Sequence, residues 1–220
     1  MRSVVLKPTV RCPVCELPPR WCICAAQRDL ACPLQIDLLL HEREVARPSS
    51  TGKLIKRLFP AARQHIWSWN QPLAAETVIN PERELWILHP HGHPAPSDVD
   101  PGNIQVALLD GLWNETATMS RAVSSWGRLV SLPMRGESRY WLRAQQDSGR
   151  FSTVEALLFL LDSLQLTKTS AELRTQFELH VYATLRARGR IDLAAAFLAD
   201  SMLPQTIPDY LASLQQRRPL

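Results

Sequence analysis

The apolar positions of this chain form short unbroken runs in its first two thirds and fall at helical spacing in its last third. Residues 34–40 (LQIDLLL) are an apolar run bounded by Pro33 and the polar His41-Glu42-Arg43-Glu44, a pattern that predicts a buried strand. Thr51 or Gly52 then opens a short helix, KLIKRLF, which Pro60 ends. Residues 65–69 (HIWSW) and 85–88 (LWIL) are further strand candidates. The clearest strand is 104–110 (IQVALLD), which follows the turn Pro101-Gly102-Asn103 and runs into a helix-compatible stretch at 113–126. Residues 128–132 (RLVSL) predict the next strand.

From Ser152 onward the pattern is helical. Ser152-Thr153-Val154-Glu155 and Thr169-Ser170-Ala171-Glu172 both fit a capping box, in which two side chains satisfy orphan N–H groups at a helix start. The first box leads Leu157, Leu158, Leu160, Leu161 and Leu164 into the core. The second leads Leu173, Phe177 and Val181, and its helix is expected to end at Gly189. A last short helix follows Pro208. Strands alternating with helices, then a helical C-terminal part, predict an α/β fold with a mostly parallel sheet. Residues 1–30 hold four cysteines with no clean period and read as a separate N-terminal segment, leaving 31–220 as the main domain.

Composition narrows the class. At 220 residues the chain is long enough for a complete core, and no run approaches the ~18–20 apolar residues of a membrane span. The N-terminal apolar stretch is too short for a signal peptide, so a cytoplasmic location is expected. The formal charge is +4, compatible with nucleic acid without demanding it. Six arginines lie between Arg121 and Arg150 against only Glu137 and Asp147. Arginine suits bidentate phosphate or carboxylate contacts, though a solvated face would have the same composition.

Cys12, Cys15, Cys22 and Cys24 are spaced C-x2-C-x6-C-x-C. Four thiolates complete a tetrahedral zinc ion, the closed structural arrangement, and a short proline-rich loop has little core without it. Disulfides and free redox thiols are the alternatives, the first disfavoured in a reducing compartment. Cys32 falls outside the pattern and reads as a small buried residue. The run His89-Pro90-His91-Gly92-His93 suits a loop after residues 85–88, where neutral histidines need no ion.

Five motifs in order give the chain a family resemblance. After the cysteines come His41-Glu42-Arg43-Glu44 and Arg47-Pro48-Ser49-Ser50-Thr51-Gly52-Lys53-Leu54, then Leu109-Asp110-Gly111-Leu112-Trp113. Ser138-Arg139-Tyr140-Trp141-Leu142-Arg143 and Ser152-Thr153-Val154-Glu155-Ala156 follow. The set resembles the DTW-domain family, over about residues 12–160. Leu112 stands where the family has threonine, and Ser50 where it has asparagine.

The resemblance implies a transferase that moves the aminocarboxypropyl group of S-adenosylmethionine to N3 of a uridine in tRNA. It also implies a SPOUT-like sheet, knotted near the donor site. Asp110, at the end of a strand, becomes the candidate general base, its alternative being a cap on the following helix. Trp113 is the candidate stacking platform, its alternative a core position. Donor binding is expected from Leu88, His89, Pro90, Asp110, Leu132, Tyr140, Arg143, Ser152, Thr153 and Glu155. Within that set, Arg143 and the helix start at Ser152-Thr153 would meet the carboxylate, while Glu155 is either an amine ligand or a capping-box residue. Arg47, Thr51, Lys53, Arg57 and Arg139 are the candidate tRNA contacts. An RNA methyltransferase using the same donor and a non-catalytic zinc-containing RNA-binding protein are the competing readings.

Overall fold

The computed structural model describes residues 10–47, 49–142 and 150–217. Its internal contacts divide the chain into two units, one of residues 28–177 and one of residues 1–27 with 178–220.

The 28–177 unit is built on five strands: β1 (Gln35–His41), β2 (Arg63–Trp67), β3 (Glu84–Pro94), β4 (Ile104–Asp110) and β5 (Arg128–Ser131). They pair in the order β2-β1-β4-β3-β5, and every pairing is parallel. The helices are α1 (Glu42–Val45), α2 (Thr51–Leu58), α3 (Ala75–Val78), α4 (Trp113–Val123), α5 (Thr153–Ser163) and α6 (Thr167–Ala187), the last running on into the other unit. The expected α/β class with a parallel sheet flanked by helices is therefore what the chain adopts. β1 and β4 are buried along nearly their whole length, which is why they read as continuous apolar runs: a parallel sheet is covered on both faces.

Period-two alternation sorts the two faces. Leu39, Ala107, Ile87 and Leu85 pack with Val78 of α3 and with Met119 and Val123 of α4. Their neighbours in sequence, including Asp110, turn to the opposite face, where α2 and α5 contact each other and β4. The chain leaves β1 towards β2 on one flank and leaves β4 towards β5 on the other. The sheet therefore has its topological switch point between the C-terminal ends of β1 and β4, where open parallel sheets form their ligand crevice.

Two local expectations are corrected. His89-Pro90-His91-Gly92-His93 is not a loop after the strand but part of β3, which bulges between Leu88 and His93 while both pair with Val130. Gly92 is required there, because a Cβ would lie 2.6 Å from the backbone of Leu129 and Val130. The second capping box does not form: α6 begins at Thr167, and Thr169 sits inside its first turn, donating to the Ala31 carbonyl at 3.2 Å. The earlier start follows from Gln165, whose φ of +57° turns the chain directly from α5 into α6. The first box, Ser152 with Glu155, forms as expected.

The other unit carries the rest of α6, then α7 (Ile191–Ala199), α8 (Leu203–Thr206) and α9 (Pro208–Gln216) with the cysteine-rich segment. α6 ends just before Gly189, and Pro208 opens α9, both as the sequence predicts. The cysteine segment is held by hydrogen bonds and by aromatic packing. Arg20 donates to the carbonyls of Leu214 and Gln215, Tyr210 and Arg217 donate to that of Cys22, and Trp21 packs edge-on against Tyr182 at 6.4 Å.

Candidate functional site

At the C-terminal edge of the sheet, a cavity of about 260 Å³ opens beside the N-termini of α4 and α5. Leu88, His89 and Pro90 of β3 and Leu108 and Leu109 of β4 form one side, with Val130 and Leu132 beside them. Trp113, Thr116 and Ala117 of α4 form another, and Phe151, Ser152, Thr153 and Ala156 close it. Six of the residues expected to bind the donor thus come together: Leu88, His89, Pro90, Leu132, Ser152 and Thr153. Trp113 is among the lining residues and is half exposed, with the Arg150 guanidinium 5.6 Å from its ring centroid. Burial, and then the neighbouring His91, hold the His89 imidazole below its ordinary pKa, so it faces the cavity neutral.

Asp110 stands directly behind this wall. Its Oδ2 accepts from the Ser50 hydroxyl at 2.7 Å and the Gly52 N–H at 3.3 Å, and its Oδ1 accepts from the hydroxyl of Thr153. The carboxylate thereby ties together the starts of α2 and α5, both of which carry the positive end of a helix dipole. It does not cap α4: the N-cap of that helix is Leu112. Nor is Asp110 among the residues lining the cavity; Thr153 connects the two. Gly52 is required by this contact, since a Cβ there would approach Asp110 Oδ2 to 2.8 Å.

The two departures from the family pattern acquire local meanings. Ser50 is the N-cap of α2, accepting from the Lys53 N–H while donating to Asp110, and an asparagine amide could do both. At α4, Glu115 accepts from the Leu112 N–H at 2.8 Å, one half of a capping box. Leucine has no oxygen to return to the helix, so the other half is missing where threonine would supply it.

Several expected residues lie elsewhere. Glu155 accepts from Ser138 Oγ, the Arg139 N–H and both the N–H and hydroxyl of Ser152, so its carboxylate anchors residues 138–139 to α5 and is not open to an amine. Tyr140 is buried, donates to the Ser49 carbonyl and stacks on Phe177, a packing position away from the cavity. Thr51 is only 3% exposed and cannot reach RNA. Arg47 pairs with Glu44, Lys53 donates to the Val45 carbonyl at 3.2 Å, and Arg139 lies over Trp141; all three, like Arg57, are half-buried. Arg143 lies outside the described residues. The sequence reading missed Thr116, Ala117, Met134, Phe151 and Ala156 as lining residues. Thr116 and Ala117 were within reach, being three and four positions after Trp113 on the same helix face.

The four cysteines meet the test for a metal. Their Sγ atoms all lie within 4.8 Å of one another, with Cys12–Cys24 at 3.5 Å and Cys15–Cys22 at 3.6 Å. A tetrahedron with metal–sulfur bonds of about 2.3 Å has edges of about 3.8 Å. No pair is bonded as a disulfide. Backbone hydrogen bonds from Cys15 and Val14 lower the Cys12 thiol to about 6, whereas burial pushes Cys15 and Cys24 up, so the thiolates need a cation to be charged together. This is the one such ligand group among the described residues; the histidine run does not form another.

A parallel α/β protein with a ligand-sized cavity over the C-terminal ends of β3, β4 and β5, lined by two helix starts, is the class that fold and site define. A family model of the DTW domain matches residues 9–185, most of the chain, and the chain belongs to the DTW-domain family. That membership ties the protein to tRNA modification. No solved structure matches it. No described helix is long and apolar enough to cross a membrane.

Proposed function

We propose that this protein transfers the 3-amino-3-carboxypropyl group of S-adenosylmethionine to N3 of a uridine in tRNA, releasing methylthioadenosine. The observation that carries the reading is the convergence of Trp113, Ser152 and Thr153, from two separate family motifs, on one cavity with Asp110 behind it. In such a transfer the N3–Cγ bond forms as the Cγ–S bond breaks, its electron pair neutralises the sulfonium, and the N3 proton goes to a base. No acid is needed for the leaving thioether.

The chain's own residues divide that work. The starts of α4 and α5 present oriented N–H groups suited to the carboxylate of the transferred group. Trp113 offers a stacking face to the adenine or the target base. The apolar wall of Leu88, Leu108, Leu109 and Val130 keeps water from the electrophilic carbon. Asp110 acts as base through Thr153: the threonine hydroxyl takes the N3 proton as it passes its own to Oδ1. The cysteine cluster holds zinc as a structural ion, remote from the chemistry in role because four thiolates leave no open position.

Incubation of the purified protein with unmodified tRNA and S-adenosylmethionine tests this. Nucleoside digestion is expected to give a uridine heavier by an aminocarboxypropyl group, with methylthioadenosine in equal amount. A methyl-sized gain with S-adenosylhomocysteine would redirect the reading to methylation, and binding without turnover to a non-catalytic RNA-binding protein. The same preparation is expected to carry about one zinc ion per chain, and a metal-free folded protein would remove the zinc assignment.

A further inference from the structure

α4 has a second pocket on its other flank. Trp113, Thr116 and Ala117 face the first cavity, whereas Asn114, Glu115 and Thr118 line a separate pocket of about 200 Å³ with His41, Arg43 and Trp69. The first set follows the i, i+3, i+4 spacing, and Asn114 and Glu115 lie four and three positions before Thr118, so the two sets occupy adjoining stripes of one helix. The pocket lies at the same C-terminal sheet edge, over the ends of β1 and β2.

Its most unusual feature is Trp69, which is 64% exposed yet held in place. It sits in a tight turn closed by the Ser68–Gln71 bridge and by the Asn70 N–H donating to Ser68 Oγ at 3.3 Å. Its ring meets Trp67 edge-on at 4.7 Å, and Trp67 packs in turn on His41 at 5.6 Å. A large aromatic face kept in water by a rigid support loses little freedom when a planar ligand stacks on it.

The remaining lining is polar and partly uncommitted. His41 Nδ1 accepts from the Arg43 N–H at 3.3 Å and lies 3.7 Å from Glu115 Oε2. The Glu115 carboxylate is engaged by the Leu112 N–H and by Arg43, whose side chain is otherwise exposed. The exposed Asn114 amide makes no hydrogen bond among the described residues, so both its donor and its acceptor are available. An amide beside a stacking platform matches the paired donor and acceptor edge of a nucleobase, and a solvated guanidinium matches the adjoining phosphate.

We infer that this pocket is a nucleobase subsite, taking an unstacked nucleotide of the RNA substrate on Trp69, with Asn114 on the base edge and Arg43 on the phosphate. The inference rests on the tRNA-modifying reading but not on which group is transferred. It makes α4 a divider between the donor cavity and an RNA-gripping pocket.

The test is equilibrium binding of labelled, unmodified tRNA to the full chain and to Trp69→Ala, Trp69→Phe and Asn114→Ala. Trp69→Ala is expected to weaken tRNA binding by about tenfold or more, Trp69→Phe by no more than about threefold, and Asn114→Ala by an intermediate factor. S-adenosylmethionine binding and melting temperature should not move, because the altered side chains are exposed. Wild-type tRNA affinity in Trp69→Ala overturns the subsite, as does an equal loss in Trp69→Phe. Affinity and turnover are read separately. A wild-type protein that makes no aminocarboxypropyl product, while Trp69→Ala still binds tRNA weakly, sinks the transfer reading and spares the subsite.

Discussion

Two buried aspartates sit near opposite ends of the same sheet, and the same charge does different things at each. Asp37, near the start of β1, is 0% exposed and surrounded by side chains of its own and neighbouring strands. Arg63 and His65 of β2, Gln35 of β1 and Gln105 of β4 all bond to it, at 2.7 to 3.1 Å. None of these residues lines either of the two pockets at the C-terminal edge of the sheet. Asp110, at the end of β4, takes its donors from the starts of two helices and reaches a ligand-sized cavity through one of them. Saturation of the carboxylate therefore does not by itself separate a structural aspartate from the one we propose as base. What separates them is whether a partner also faces open space at the edge where the helices begin.

The largest effects expected split along that line. Asp37→Asn removes the charge that Arg63 and His65 enclose and is expected to cost roughly 3 kcal/mol of stability. This is the low end for a broken buried pair, because the Arg63 side chain is 41% exposed and recovers water. Transfer activity per folded molecule should be unchanged. Asp110→Asn is expected to lower the transfer rate about a hundredfold or more in protein that still folds. Denaturant melts and single-turnover rates on both variants read the two quantities, and an Asp37 variant that is stable but inactive would erase the distinction.

Acid sharpens the same comparison. Burial alone would raise the Asp37 carboxyl, but the donors from His65, Arg63, Gln35 and Gln105 outweigh it and hold the group below its ordinary value of 3.8. Its stabilisation is thus complete above the unfolded value and lost as pH falls through the lower folded one. A stability profile of Asp37→Asn should accordingly stand apart from wild type above about pH 5 and approach it as pH falls below the ordinary value of 3.8. The smallest effect is at the helix start next to Asp110. Leu112→Thr returns the missing half of the capping box and removes a leucine that is 44% exposed, and is expected to add about 1 kcal/mol. An unchanged melting temperature would contradict that reading of the departure.

The sheet was legible because both-face burial leaves unbroken apolar runs, as in β1 and β4. β3 was cut short at Leu88 because prolines and a glycine signal a loop, and only the close approach of Gly92 to β5 explains why a bulged strand tolerates them. At the site, motif position found Trp113, Ser152 and Thr153 but also selected Tyr140 and Glu155, whose work is packing and capping. A motif records that a residue matters, not which way its side chain points. For Asp110 the strand end was readable. Its side-chain direction was not, because period-two alternation assigns a face only once it is known that α4 covers one side and α2 with α5 the other. Trp69 was lost by extending β2 two residues too far, although Asn70 and Pro72 mark the turn that displays it.

The central claim is that Asp110 serves the cavity through the hydroxyl of Thr153. Single-turnover transfer rates for Thr153→Ser and Thr153→Val, at saturating donor and tRNA, test it most directly. Serine should keep the rate within a few-fold, and valine, of nearly the same shape, should lose about a hundredfold or more. Valine turning over at the wild-type rate would contradict the account.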